Sequence, residues 1–209
     1  MLPSLRQPEL HNGDRMSPEE FLWRWEQIPE LKQAELIEGV VYLSSPVSRP
    51  HGSYDSILGA WLNYDACAVK QDFEICHNTT VLLSDSTPQP DIYMTRLPTG
   101  GRETAAAKYL AYAPDLVVEI SYSSKSLDLG PKLAAYRSAG LGESITVLLE
   151  ERRAEWRVLS GTRYRLLHPA TDGVLRSPNF PGLWLDTEAL FPPDRQRLFA
   201  AVDRGVKNG

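Results

Sequence analysis

The chain contains few of the residues that build metal clusters, disulfide frameworks or membrane spans. It has 2 cysteines and 4 histidines in 209 residues, with neither a C-x-x-C pair nor a paired Cys/His spacing. This pattern argues against a structural zinc site and predicts free thiols. No run approaches the roughly 18 apolar residues of a membrane span, and no basic segment precedes an apolar run near the first residue. We therefore expect a cytoplasmic protein that is not anchored in a membrane.

Positive charge is also scarce. Lys and Arg together number 22 against 27 Asp and Glu, which gives a net charge of −5. This balance argues against a strongly basic nucleic-acid binder, although the arginines between residues 152 and 165 leave a local basic patch open. A length of 209 residues suits one domain. We expect a loose arm over residues 1–15, which lack a hydrophobic period, and a single domain over residues 16–209.

Hydrophobic periodicity in the first half of the chain predicts both helices and strands. Ser17-Pro18-Glu19-Glu20 forms a capping box and predicts a helix from about Pro18. Residues 34–46 alternate and predict a hairpin, and a second amphipathic helix is expected after His51. Residues 74–84 and 89–97 are β-rich and predict strands, and a loop is expected over residues 98–113.

The second half predicts a strand–helix–strand unit. A strand over residues 114–121 precedes a helix that Asp128 can cap and that ends before Gly140, and residues 144–150 form the next strand. Parallel pairing of the two strands is the expected outcome. Ser160-Gly161 predicts a hairpin, and we expect coil over residues 177–191, with aromatic side chains covering an edge.

Glu119 interrupts a segment that otherwise has the pattern of a buried strand. The stretch PDLVVEIS places apolar residues on both sides of this carboxylate, and an unpaired buried carboxylate costs several kcal/mol. Asp91 begins the other short strand, so the two acids can converge on Mg²⁺ if the strands are neighbours. Lys132, in the first turn of the following helix, can lie along the sheet and reach Glu119.

Several motifs, taken in order, resemble the Uma-two family (Uma2) of endonucleases in the PD-(D/E)XK restriction-endonuclease-like superfamily. The matches run from about Met16 to Phe191 and comprise ELIEGVVYLSSP (35–46), His51 near a helix start, PDI (90–92), PDLVVEIS (114–121), D-x-x-x-K-x-x-x-Y (128–136), Ala139-Gly140 and SPNFPGL (177–183). Two departures stand out. Ser121-Tyr122-Ser123 replaces the family's Ser-Pro-Ser-like turn, and Glu143-Ser144-Ile145 replaces an aromatic pair.

The resemblance implies an α/β fold: a restriction-endonuclease-like core with a mixed central β-sheet flanked by helices, and with added β-hairpins. It implies DNA cleavage that depends on Mg²⁺, with Mn²⁺ as a substitute, and action as a homodimer. Asp91 and Glu119 would be the metal-binding acids.

The resemblance also assigns the remaining catalytic roles. The superfamily's lysine lies two residues after the glutamate, where this chain has Ser121. Its role falls to Lys132, with Lys125 as the other candidate. His51 and Glu35 match further polar positions and would support catalysis at the edge of the metal site.

Three alternatives remain open. Glu119 can be a structural carboxylate paired with an arginine, and Asp91 can simply start a strand after proline. The chain can be a degenerate family member that binds nucleic acid or a protein without cutting. A hydrolase that uses the two carboxylates as general acid and base, without metal, is the third.

Overall fold

A mixed β-sheet with helices packed on both faces organises the chain, and a computed structural model describes it for residues 9–97 and 108–208. The helices are α1 (Pro18–Glu26), α2 (Arg49–Val69), α3 (Lys125–Asp128), α4 (Pro131–Ser138) and α5 (Arg195–Asn208). The strands are β1 (Ala34–Ile37), β2 (Val40–Leu43), β3 (Phe73–His77), β4 (Ile92–Arg96), β5 (Leu116–Ser121), β6 (Glu143–Leu148), β7 (Arg153–Ser160), β8 (Arg163–Leu166), β9 (Val174–Arg176) and β10 (Trp184–Asp186).

The central sheet has six strands in the order β3-β4-β5-β6-β7-β8. β5 and β6 pair in parallel through the α3–α4 crossover, as the sequence predicts, and the other neighbours are antiparallel. β1 with β2 and β9 with β10 form separate two-stranded sheets. The fold class expected from the resemblance is confirmed, including the added hairpins.

Alternation along β5 sends its side chains to two different environments. Leu116, Val118 and Ile120 join the larger core, which α2 and α5 cover with side chains such as Trp61. Val117 packs on the opposite face in a second cluster beneath α4. Glu119 shares this second face, so it lies on the side of the sheet that faces α4, β1 and β2.

Local sequence signals located most element boundaries correctly. Ser17 caps α1 by accepting a hydrogen bond from the Glu20 backbone N–H, and α1 begins at Pro18. β7 and β8 pair across the Ser160-Gly161 turn. Gly140 follows the end of α4 with φ +79°, a conformation that favours glycine. Both cysteines are free.

Other boundaries differ from the sequence-based expectation. Asp128 does not cap the second helix of the crossover, because the chain forms α3 first and Asp128 is its last residue. His51 lies inside the first turn of α2, and Ser48 caps that helix. β3 ends at His77, since Asn78 takes a φ of +49° that breaks the ladder. The coil expected over residues 177–191 contains β10, and α5 follows it without having been predicted.

The arm expected over residues 1–15 lies partly outside the described residues, as does most of the loop expected over 98–113. Residues 9–15 are described. Leu10 is buried against α1 and β1, and the Gly13 N–H donates to the Val41 carbonyl at 2.8 Å. No helix in the described ranges is both long enough and apolar enough to span a bilayer.

Candidate active site

A cavity of about 380 Å³ opens where the end of β5 meets the start of β4. β4 and β5 are antiparallel, so Asp91, immediately before β4, lies beside Glu119 near the end of β5. The Asp91 Oδ2 atom accepts a hydrogen bond from the Ile120 backbone N–H at 2.6 Å. The fold therefore brings the two predicted metal-binding acids together on the cavity wall.

Glu119 is held by two side chains from α4. Its Oε2 atom accepts from Lys132 Nζ at 3.0 Å, and its Oε1 atom accepts from the Tyr136 hydroxyl at 2.6 Å. All three residues are at most 3% exposed. Because Lys132 and Tyr136 are one helical turn apart, α4 presents both donors to the same carboxylate. Lysine and tyrosine, and not an arginine, thus compensate the buried charge.

The β1–β2 hairpin supplies a third carboxylate. Glu35 Oε1 lies 2.7 Å from Lys132 Nζ and accepts from the Gln89 backbone N–H at 2.7 Å. The Leu36 and Thr87 backbones exchange two hydrogen bonds, which fix this hairpin to the segment before β4. Lys132 is therefore bracketed by two buried carboxylates that come from different parts of the chain.

His51 approaches the site from the first turn of α2. Its Nε2 atom is 3.1 Å from Asp91 Oδ1. This contact with Asp91 raises the pKa of His51, while burial opposes the rise. A protonated His51 would hold Asp91 from the side opposite the Ile120 N–H.

Asp128 is a fourth carboxylate on the cavity wall, and the sequence predicted for it only a role as a helix cap. It is 5% exposed, and its Oδ2 atom accepts from the Ser124 hydroxyl. The 128–132–136 spacing of Asp, Lys and Tyr was the available signal for Asp128 and Tyr136. The spacing identifies a family motif, but it does not reveal what Asp128 and Tyr136 contact.

The cluster contains more carboxylates than cations, and the pKa values reflect this excess. Burial, followed by repulsion from Asp128, Asp91 and Glu35, raises the pKa of Glu119 well above its usual range, despite the opposing effect of Lys132. Burial alone would lower the pKa of Lys132, but Glu119, Glu35 and the other acids raise it well above normal. The lysine is therefore charged, and the site favours additional positive charge, whether a proton or a metal ion.

Two residues considered from the sequence lie elsewhere. Lys125 forms an exposed ion pair with Glu151 and does not line the cavity. Asp115, which repeats the Pro-Asp pair, accepts hydrogen bonds from the Arg96 backbone at 2.7 Å and from its guanidinium at 3.1 Å. Lys132 is the lysine that the fold places against Glu119.

The carboxylates of the cavity can bind a hard divalent cation, but they do not supply a complete coordination shell. In residues 9–97 and 108–208, no three His, Cys, Asp or Glu side chains are arranged to hold a metal ion. Mg²⁺ needs only one or two protein carboxylates when waters and substrate phosphate complete its shell. Asp91 and Glu119 supply those oxygens in a cluster with surplus negative charge, so they are the residues that would hold the ion.

The fold has a known structural neighbour. It superimposes with a TM-score of 0.62 on a chain from Anabaena variabilis ATCC 29413 described as "a putative nuclease belonging to DUF820". The two sequences are 16% identical, and the match covers 90% of this chain and 99% of that one. At this identity the likeness establishes the fold alone.

A family model described as "Putative restriction endonuclease" (Uma2) matches residues 18–188. The chain belongs to this family, as the motifs indicated. No curated protein sequence matches it. The family and the fold together support a nuclease.

Proposed function

We propose that the chain is a Mg²⁺-dependent endonuclease that hydrolyses phosphodiester bonds in DNA, with Mn²⁺ able to replace Mg²⁺. Asp91 and Glu119 are the proposed metal ligands, and Lys132 stabilises developing charge. The observation that supports this most directly is the contact of Lys132 with Glu119 at 3.0 Å on the wall that also carries Asp91. Two acids and a lysine on one cavity wall suit phosphoryl transfer.

Each residue has a distinct part in this proposal. A bound Mg²⁺ would polarise the phosphoryl group. Lys132, buried and charged, would stabilise negative charge on the phosphoryl oxygens in a water-poor site, where such interactions are strong. Glu35 would hold the ammonium group at 2.7 Å, and Tyr136 would fix the orientation of Glu119. His51 would orient Asp91.

A binding module without catalysis is the second candidate, and one observation favours it. Lys132 and Tyr136 already occupy both oxygens of Glu119, and Asp91 contacts both His51 and the Ile120 N–H. In this candidate the lysine replaces the metal ion permanently.

The deciding experiment compares two aspartates that both follow proline. Supercoiled and single-stranded circular DNA are incubated with wild type, Asp91→Asn and Asp115→Asn in Mg²⁺, in Mn²⁺ and in EDTA. We expect metal-dependent cutting by wild type and Asp115→Asn and none by Asp91→Asn, because Asp115 pairs with Arg96 outside the cavity. Equal cutting by all three would refute the assignment of Asp91.

If the wild type cuts neither substrate in either metal, Mn²⁺ calorimetry separates the candidates. Mn²⁺ binding that Asp91→Asn abolishes would indicate an intact metal site acting on another substrate. No binding would favour the module. A dimer carries two active sites and can cut two strands in one encounter, so we also propose a homodimer, which sedimentation velocity tests.

A further inference from the structure

The mouth of the cavity has a different chemistry from its acidic wall. Two loops form much of it: residues 44–48, between β2 and α2, and residues 122–124, between β5 and α3. Neutral hydrogen-bonding side chains line these loops and the adjoining edge, namely Ser44, Ser45, Ser48, Ser123, Ser124, Gln33, Asn78 and Gln89. Hydroxyl and amide groups of this kind can pair with the edges of nucleobases.

Two apolar side chains project at this mouth. Of the five large apolar residues that the described ranges expose, Val47 (56% exposed) and Tyr122 (47% exposed) line the cavity. They belong to the two different loops that form the mouth.

Positive charge is scarce around the same opening. Among the described residues that line the cavity, Lys132 is the only lysine or arginine, and it is 3% exposed. On β7, Arg153 and Arg157 share the single carboxylate of Glu155, and neither arginine lines the cavity. Phosphate contacts from lysine and arginine support binding of both duplex and single-stranded DNA, but only a single strand can add stacking of its bases on an aromatic side chain. This mouth lacks such phosphate contacts.

We propose that the mouth accommodates an unpaired nucleobase of single-stranded DNA, stacked on the Tyr122 ring beside the scissile phosphate. Aromatic stacking needs a base whose face is free, as in a single strand. The volume of about 380 Å³ lies in the range of small-molecule sites. This inference rests on the proposed nuclease function and specifies its substrate: single-stranded or locally unpaired DNA.

The test measures binding separately from cleavage. Fluorescence anisotropy in Ca²⁺, with an EDTA control, gives the Kd of the wild type for a labelled single-stranded DNA 20-mer, its matched duplex and the corresponding RNA. Tyr122→Ala and Tyr122→Phe are compared with Trp23→Ala. Trp23 is 60% exposed on α1 and does not line the cavity.

We expect single-stranded DNA to bind at least about ten-fold more tightly than the duplex. Tyr122→Ala should weaken that binding by roughly 5- to 100-fold, the effect of losing one stacked base. Tyr122→Phe keeps the ring and should stay within about two-fold of wild type, as should Trp23→Ala.

Three results would overturn the inference: duplex binding as tight as single-strand binding, RNA binding tighter than DNA binding, or an unchanged Kd for Tyr122→Ala. Failure to bind any DNA would also overturn it. Binding that depends on Tyr122 without cleavage in Mg²⁺ or Mn²⁺ would instead support the stacking site and reject the proposed nuclease activity. The two proposals can therefore fail independently.

Discussion

Two buried glutamates on neighbouring parallel strands differ in almost everything except burial. Glu119 on β5 is 3% exposed, contacts the charged Lys132 and faces a cavity shared with three other carboxylates. Glu143 on β6 is 0% exposed and accepts hydrogen bonds from Trp156 Nε1 at 2.7 Å and the Ser177 hydroxyl at 2.6 Å. It does not line the cavity.

The comparison shows that a buried carboxylate is not by itself evidence of a functional site. Neutral donors satisfy Glu143 and connect β6 to β7 and to the segment before β10, which is a structural role. Burial raises the pKa of Glu143, and these donors lower it again. At Glu119 the neighbouring acids add to the rise, and the resulting excess charge favours a cation. The surroundings of a buried acid, and not its burial, therefore decide whether it is a candidate for a functional site.

The largest expected effect is a difference between the two glutamates: substitution of Glu119 should abolish cleavage, whereas substitution of Glu143 should reduce stability. Glu119→Gln should lower metal-dependent DNA cleavage at least about 1,000-fold, because a bound metal ion supplies several kcal/mol of transition-state stabilisation. Glu143→Gln should retain cleavage but lose about 1–3 kcal/mol of unfolding free energy, since its amide N–H₂ meets hydrogen-bond donors. Cleavage rates and urea unfolding measure both, and loss of cleavage in both variants would contradict the distinction.

Removing the cation tests whether Lys132 compensates the acids around it. Lys132→Met should cost about 3–4 kcal/mol of unfolding free energy at pH 8, because Glu119 and Glu35 remain buried without their partner. Without the lysine, the folded pKa of Glu119, which burial already raises well above its usual range, rises further. The folded variant therefore takes up protons as the pH falls, and the unfolding free energy that the substitution costs becomes smaller towards pH 5.

Lys125→Met is the matched control, since the exposed Lys125–Glu151 pair contributes at most about 1 kcal/mol. Unfolding curves at pH 5 and pH 8 give both values. If Lys132→Met is as stable as the wild type at pH 8, another group neutralises the cluster.

The comparison also shows how far sequence reasoning reached. Alternation along β5 assigned Glu119 to one face, and helical spacing predicted that Lys132 would reach it. Both predictions are confirmed by the contacts. The catalytic roles of Asp91, Glu119, Lys132, His51 and Glu35 remain predictions, although all five residues line one cavity.

What the sequence could not supply came from long-range packing. The contact of Glu35 with Lys132 depends on how the β1–β2 hairpin docks, which no local pattern encodes. α5 was missed although Leu198, Ala201, Val202 and Gly205 are buried at helical spacing and the Asp194 side chain accepts from the Arg197 N–H. The helical spacing and the capping aspartate are local signals that lie after the last family motif in the chain.

Asp65 is a third buried acid, and among the described residues its Oδ1 atom has neither a cation nor a neutral donor as partner. It is 1% exposed on α2, its Oδ1 atom has no hydrogen bond, and burial raises its pKa to about 7. A folded pKa above the unfolded value means that stability is greatest at low pH and is lost as the pH rises from about 4 to 7.

Replacing Asp65 removes this titration. Relative to the wild type, Asp65→Asn should gain about 2–3 kcal/mol of unfolding free energy between pH 4 and pH 8, whatever constant cost the amide carries. Urea unfolding at both pH values measures the difference. A variant whose stability differs from that of the wild type by the same amount at both would show that Asp65 ionises normally.

The smallest expected effects come from deleting one hydroxyl at each glutamate. Tyr136→Phe removes a donor from Glu119, and Ser177→Ala removes one from Glu143. Each should cost about 1–2 kcal/mol of unfolding free energy. Mn²⁺ affinity measured by calorimetry should fall about 10- to 100-fold in Tyr136→Phe alone, because groups that orient a metal ligand affect binding by that factor. Equal Mn²⁺ affinities in the two variants would show that the Tyr136 hydroxyl, like that of Ser177, serves only the fold.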